Sequence, residues 1–516
     1  MASTVAGFGS DRVLAAGGAW PDAATYARLA AAYPLVPVLL QQAADLETPI
    51  SLYLKLVGSG QGYLLESVEG GERVARYSFI GARPFSELAC GPDDNAFAQL
   101  REALDALRAP ALEQLPGGDG LPAFMGGLVG YLGYDAVRAL ERLPDPPTTD
   151  RDLPAAWFLA AGILAILDHA TSRLYLVALR PHTSGESPAQ AYQASRQLLA
   201  EAEEALRGPV PEPPRPAPAA PGHSSEMAGG AMPPVHHTGE TMTRDAYMAA
   251  VERAKEYIHA GDIYQVVLSQ RTQAPAPADS FDLYRTLRRV NPSPYMFYLN
   301  FGSLQLVGAS PEMLVRVEDG QITYRPIAGT RARGGTPVED RRREEELRAD
   351  PKELAEHAML LDLGRNDVGR ISRFGSVAVK DPLHVERYSH VMHLVSEVTG
   401  ELAPGRDGLD ALAACFPAGT LTGAPKIRAM QIIDELEPVS RGPYGGAVGY
   451  LGFAGSLDTC IAIRTAVVQN GVAYLQAGAG IVADSDPGRE FQECQDKNAA
   501  LRRAVEEATA HVAGDR

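Results

Sequence analysis

The segment Asp350-Pro351-Lys352-Glu353-Leu354-Ala355-Glu356-His357, running on to Leu363-Gly364-Arg365-Asn366-Asp367, reads as a helix with a defined start. Asp350 is suited to the N-cap, Pro351 to the first helical position, and Glu353 to closing a capping box. Gly364 is placed to end it. Glu353 and Glu356 are three apart and share a face. Asp486-Pro487 repeats the design near the C-terminus, with Glu490 and Glu493 again three apart. If the two acidic faces meet, they form a hard-oxygen site of the kind Mg²⁺ takes. If they do not, they are two solvated helix faces. Lys497, four after Glu493, fits that second reading as an ordinary ion pair.

Composition narrows the function. The chain has 516 residues and a formal net charge of -17, which argues against a nucleic-acid partner. Its four cysteines (Cys90, Cys415, Cys460, Cys494) are widely spaced, with no zinc or disulfide pattern, as suits a reducing cytoplasm. The N-terminus lacks the basic and apolar regions of a secretory signal. The most apolar run, 155–167, is too short to span a bilayer and reads as a buried strand or core helix.

Residues 1–33 form an extension, and 34–206 a mixed helix and strand region. Within it, Gly62 to Val68 reads as a strand and Asn95 to Leu107 as an amphipathic helix. The run Gly126 to Asp135 is glycine-rich without dinucleotide-binding spacing, so it too reads as strand. It nearly repeats at Gly445. Proline and glycine dominate 207–242, a linker in which His236-His237 reads as solvated loop. A second region, 243–505, follows, with a tail at 506–516. Thr243 caps a helix that ends at Gly261, and Ile263 to Leu268 is a strand. Asn300 to Ser303 is a hairpin turn, and Asn470-Gly471 another. Val391 to Thr399 and Thr459 to Val468 each read as one strand. A helix through Ile427, Met430 and Ile433 follows Gly419 to Lys426.

Several residues stand out chemically. Arg464 sits in an apolar strand, where it needs either a structural partner or a carboxylate ligand. Gly478-Ala479-Gly480 would let a ligand approach the backbone, or is a plain strand end. His393 is either a satisfied core histidine or a proton-transfer group. Thr420 is either a helix cap or a ligand contact.

Taken together and in this order, these segments resemble the chorismate-utilising enzymes, and within them the anthranilate synthase large subunit (component I). The residues that carry the resemblance are Leu64 to Ser67, Asn291 to Met296, Pro326 to Arg331, Glu353 to Asp367, Glu386 to His393, Gly419 to Lys426, Tyr444 to Tyr450, Asp458 to Arg464 and Gln476 to Glu493. Val74-Ala75 departs from the family pattern. The resemblance implies an α+β fold of two antiparallel sheets packed face to face, with helices outside. It implies Mg²⁺ held by Glu356 and Glu493, with Glu353 and Glu490 supporting through water. Chorismate would meet Gly329, Thr330, Tyr444, Arg464 and the backbone of Gly478, Ala479 and Gly480. His393, Thr420 and Gln265 would serve catalysis. Ammonia would come from a glutamine amidotransferase subunit in a heterotetramer. Tryptophan would inhibit at Ser67, Pro294, Tyr295 and Met296. Gln265 and Ala328 stand where water-adding and 4-amino-4-deoxychorismate-forming relatives carry lysine. Those sister activities and a non-catalytic tryptophan sensor are the alternatives.

Overall fold

The computed structural model describes residues 19–68, 76–111, 114, 121–183, 185–211, 239–387 and 391–514. Val74-Ala75 and His236-His237 lie outside them. Before the proline-rich segment the chain forms β1 (Val38–Ala43), β2 (Gly62–Glu66), β3 (Tyr77–Cys90), β4 (Gly127–Leu132), β5 (Ala156–Asp168) and β6 (Arg173–Ala178). After it come β7 (Gln265–Pro275), β8 (Tyr295–Asn300), β9 (Leu304–Ser310), β10 (Met313–Glu318), β11 (Gln321–Tyr324) and β12 (Ile327–Ala332). The rest are β13 (Ala378–Arg387), β14 (Val391–Glu401), β15 (Gly423–Ala424), β16 (Ala447–Gly452), β17 (Leu457–Ile461), β18 (Thr465–Gln469) and β19 (Val472–Ile481).

These strands join one antiparallel network that forks at β5. The first half of β5 pairs with β4 and the second with β6, while β3 lies along its other edge. One branch leads from β4 through β16, β17, β10 and β11 to β14, which also pairs with β12 and β13. The other leads from β3 through β2, β8, β9, β18 and β19 to β7. Strands from both sides of the proline-rich segment therefore pair directly, β2 with β8 and β4 with β16. Leu128 and Leu314 of the first branch share one apolar core with Phe297 and Leu306 of the second. Each such side chain contributes about 1.5–3 kcal/mol on burial.

The near-repeated glycine segments are neighbours: Gly130 of β4 lies opposite Gly449 of β16. A Cβ on Gly130 would sit 1.9 Å from the Trp157 carbonyl, and one on Gly449 2.1 Å from that of Asp458. Close approach of the next strand accounts for both. The Thr243 cap, the left-handed Gly261 and the Asn470-Gly471 turn, with φ of 52° and 75°, form as their residue types dictate.

Three local expectations are corrected. Asp350 does cap the Pro351–Gly369 helix, accepting from the Lys352 and Glu353 amides. The Glu353 carboxylate, however, turns to Arg331 (3.1 Å) and no capping box closes. The helix also runs past Gly364 to Gly369. Gly364 is buried against Tyr324, whose ring would lie 2.4 Å from an added Cβ, so close packing explains the glycine. Finally, Thr459 to Val468 is two strands. β17 pairs on the first branch and β18 on the second, so the chain must cross between them, and Arg464 makes the turn with φ of 51°.

Behind this crossing lies a buried ion pair. Both Glu437 oxygens accept from Arg441, at 2.9 and 2.6 Å. Arg441 also donates to the Leu421 and Val267 carbonyls, and Glu437 accepts from the amide and hydroxyl of Ser269. Glu437→Ala would leave the guanidinium buried without its counter-charge, a change that typically costs about 3–5 kcal/mol. The expected outcome is a large drop in melting temperature, whereas Glu435→Ala at the exposed Tyr257 contact leaves it nearly unchanged.

Candidate active site

The helices Pro351–Gly369 and Pro487–Gly514 both line an open cavity of about 800 Å³. Each contributes its acidic face: Glu353 and Glu356 from the first, Glu490 and Glu493 from the second. The faces feel one another. Burial, then the charges of Glu353 and Glu493, raise the Glu356 pKa. Burial and the Glu493 charge also raise that of Glu490, against a hydrogen bond from Ser485. Two of the four have cationic partners. Glu353 pairs with Arg331, and Glu493 with Lys497 at 2.7 Å, whose Nζ also donates to the Gly478 carbonyl at 2.9 Å. The lysine pair read from the sequence thus exists, inside the cavity wall. Among the described residues no three acidic, histidine or cysteine side chains are already gathered as a metal cage. Two carboxylates with water and a ligand oxygen nevertheless suit Mg²⁺, which takes few protein ligands. The mutual repulsion of these carboxylates is what a cation would relieve.

Positive charge comes from Arg464. Its left-handed turn brings the side chain to the cavity, and among the described residues it has no hydrogen-bond or ion-pair partner. Burial lowers its pKa, while Tyr444, Glu312 and Glu493 act the other way, and it stays charged. Beside it, Gly478 and Gly480 face the cavity from β19. A Cβ on Gly478 would meet the Tyr444 hydroxyl at 2.9 Å, and one on Gly480 the Gln265 side chain at 2.5 Å. Ala479 points the other way, into an apolar cluster with Leu268 and Ile433, so only its backbone is available to a ligand. Gln265 opens β7 and lines the same wall.

His393 sits on β14, facing Thr330 and Glu386 in register. Its Nδ1 donates to the Gly329 carbonyl (3.2 Å), which leaves Nε2 as the basic nitrogen of a neutral ring. Burial lowers its pKa, partly offset by the Gly329 contact. Gly329 lines the cavity, while the side chain of Thr330 is outside what is described. Thr420 lies in a short helix, Gly419–Thr422, and does not cap it. Its hydroxyl donates to Glu312 at 3.0 Å. Glu312 is the residue sequence reasoning missed. It is buried, and burial pushes its pKa up to about 7 against the Thr420 hydrogen bond and the charges of Arg464 and Lys497. Its signal was a charged residue after Pro311 between two apolar strands.

A smaller recess of about 90 Å³ lies apart from this cavity. Ser67, Pro294, Tyr295 and Met296 line it together with Asp458 and Arg316. Tyr295 donates to Asp458 at 3.0 Å, as does Arg316 at 2.8 Å.

The family model described as chorismate binding enzyme matches residues 61–503. The chain belongs to that family. Anthranilate synthase component 1 of Acetivibrio thermocellus is 45% identical over 487 residues, spanning 92% of this chain and 96% of that one. The protein of the same name from Thermus thermophilus is 49% identical, spanning 90% and 97%. The crystal structure of anthranilate synthase component I from Streptococcus pneumoniae superposes with a TM-score of 0.71 at 34% identity, covering 89% of this chain and 99% of that one. Among the described residues no helix is long and apolar enough to cross a membrane.

The Glu312 environment generates a pH test in this chorismate-binding chain. Its carboxyl titrates near 4.5 when unfolded and near 7 when folded, so the folded state holds the extra proton between those values. Stability contributed by the group therefore falls as pH rises across that window, by about 3 kcal/mol at most. Glu312→Gln should flatten the fall in melting temperature between pH 5 and 7.5, measured without substrate or metal. An unchanged slope would contradict the assignment.

Proposed function

We propose that this chain converts chorismate and ammonia to anthranilate and pyruvate with Mg²⁺, as the large subunit of anthranilate synthase. One observation carries the reading: two acidic helix faces and an unpaired arginine line a single cavity, which suits a dicarboxylate held between a metal and a guanidinium. Glu356 and Glu493 would hold the metal, with Glu353 and Glu490 supporting through water. When bound, Mg²⁺ supplies Lewis-acid polarisation and a template for the ring carboxylate. Arg464, Tyr444 and the backbone of Gly478 to Gly480 grip the enolpyruvyl carboxylate. Gly329 and Thr330 contact the ring side.

Ammonia adds at ring carbon 2 as the carbon 4 hydroxyl leaves. Glu312, held by Thr420 and protonated near neutral pH, gives that hydroxyl the proton with which it departs as water. His393 then takes a ring proton at Nε2 as the enolpyruvyl group is lost as pyruvate. Gln265 cannot take a proton at neutral pH, so it does not activate water, and ammonia is the nucleophile that adds. The two branches of the sheet would pack face to face around this site, with 34–206 as a regulatory part and 243–505 as the catalytic one. An amidotransferase subunit would supply ammonia from glutamine in a cytoplasmic heterotetramer. Tryptophan in the small recess would inhibit.

The deciding assay supplies chorismate, Mg²⁺ and ammonium salt, then separates the products. Anthranilate is expected, and isochorismate as the main product would overturn the reading. Glu356→Gln or Glu493→Gln should keep the fold while turnover falls by at least roughly 100-fold. Full turnover in either variant would remove the metal assignment. Ser67→Phe should raise the tryptophan concentration needed for half-inhibition at least about tenfold while leaving turnover measurable. Unchanged sensitivity would exclude Ser67 from the recess site.

A further inference from the structure

Three arginines converge on a small cavity between β18, β19 and the 150–151 segment. Arg151, Arg271 and Arg441 line it with Tyr444, Tyr474 and Gln476. Its volume is about 10 Å³, room for one water-sized atom. The side chains of Arg151, Arg271 and Arg441 are 5%, 1% and 1% exposed. Arg441 commits four of its five N–H donors to Glu437 and two carbonyls. Arg271 pairs with Asp150 through Nη2. Arg151 donates to the Arg441 carbonyl at 3.2 Å and reaches Asp150 only at 3.7 Å. Among the described residues, Nε of Arg151 and Nε of Arg271 have no hydrogen-bond acceptor.

The charges do not balance either. Three guanidiniums meet two carboxylates, Glu437 and the partly exposed Asp150. The Tyr474 ring, within 5.1 Å of Arg151 and 5.7 Å of Arg271, softens this without cancelling it. A buried cation with unused donors calls for an anion, because water would satisfy the donors but not the charge. So small a space favours a compact monatomic anion over a polyatomic one.

We propose that this cavity is a structural halide site, filled by chloride bound to Arg151 and Arg271. The ion would neutralise the cluster behind Tyr444, which lines both this cavity and the large one. The site is independent of the reaction assigned above, and its test reads no turnover.

Sodium gluconate is exchanged for sodium chloride at constant ionic strength and melting temperature is followed. The whole chain should show a saturable rise of about 1–2 °C with chloride. Arg151→Met removes the excess charge and should abolish the response. Because that variant could misfold, crystals of the unaltered chain grown in sodium bromide give a second reading. An anomalous peak between Arg151 and Arg271 is expected. Equal melting in chloride and gluconate, a response retained in Arg151→Met, or water without anomalous signal at that position would each overturn the proposal.

Discussion

The buried Glu437–Arg441 pair is the constraint on which the large cavity depends. Between them the two residues hold the Leu421 carbonyl of the short helix, the Val267 carbonyl and the Ser269 amide and hydroxyl of β7. Ser269 in turn receives Gln476 of β19. The Arg441 guanidinium also lies 5.7 Å from the Tyr444 ring centroid. One ion pair thus fixes three walls of the cavity to each other. A desolvated pair seldom adds much net stability over an apolar replacement. Its directional hydrogen bonds instead set where backbone carbonyls, and so the glycines beside them, come to rest.

Within that frame the chemistry follows from uneven burial. Four glutamates on two helices line one cavity, where a cation would relieve the repulsion that raises the pKa values of Glu356 and Glu490. Arg464 lines the same cavity and has no hydrogen-bond or ion-pair partner among the described residues. Glu312 lines the same cavity, where burial raises its pKa to about 7 and so keeps it partly protonated near neutral pH, while burial keeps His393 neutral. An acid that holds its proton and a base that lacks one can then work in the same cavity at the same pH. Neither state depends on the cavity being filled.

Local signals are legible in the sequence where they are self-contained. The Asp350 and Thr243 caps, the Asn470-Gly471 turn and the two Glu-x-x-Glu faces each rest on residues within one turn or two of chain. What was missed depends on partners far away. Gly364 looks like a helix end until Tyr324 is seen against it. Thr459 to Val468 looks like one strand, because nothing in its apolar pattern records that its halves pair on different branches. Glu312 gains its raised pKa from burial under residues more than a hundred positions distant, and Thr420 turns toward it instead of capping. The resemblance to chorismate-utilising enzymes supplied what spacing could not, the convergence of Arg464 and both acidic helices.

The crossing at Arg464 ties two cavities to one piece of backbone. Asp458 lines the small recess, and Arg464, six residues on, lines the large cavity. The 291–296 segment does the same, with Asn291 and Ser293 in the large cavity and Tyr295 and Met296 in the recess. A left-handed arginine costs of order 1 kcal/mol to hold, so its position is sensitive to strain passed along β17. If an occupant of one cavity shifts this backbone, reciprocity requires that an occupant of the other shift the first one's affinity by the same factor. A substitution within 291–296 or 458–464 therefore reaches the lining of both cavities at once.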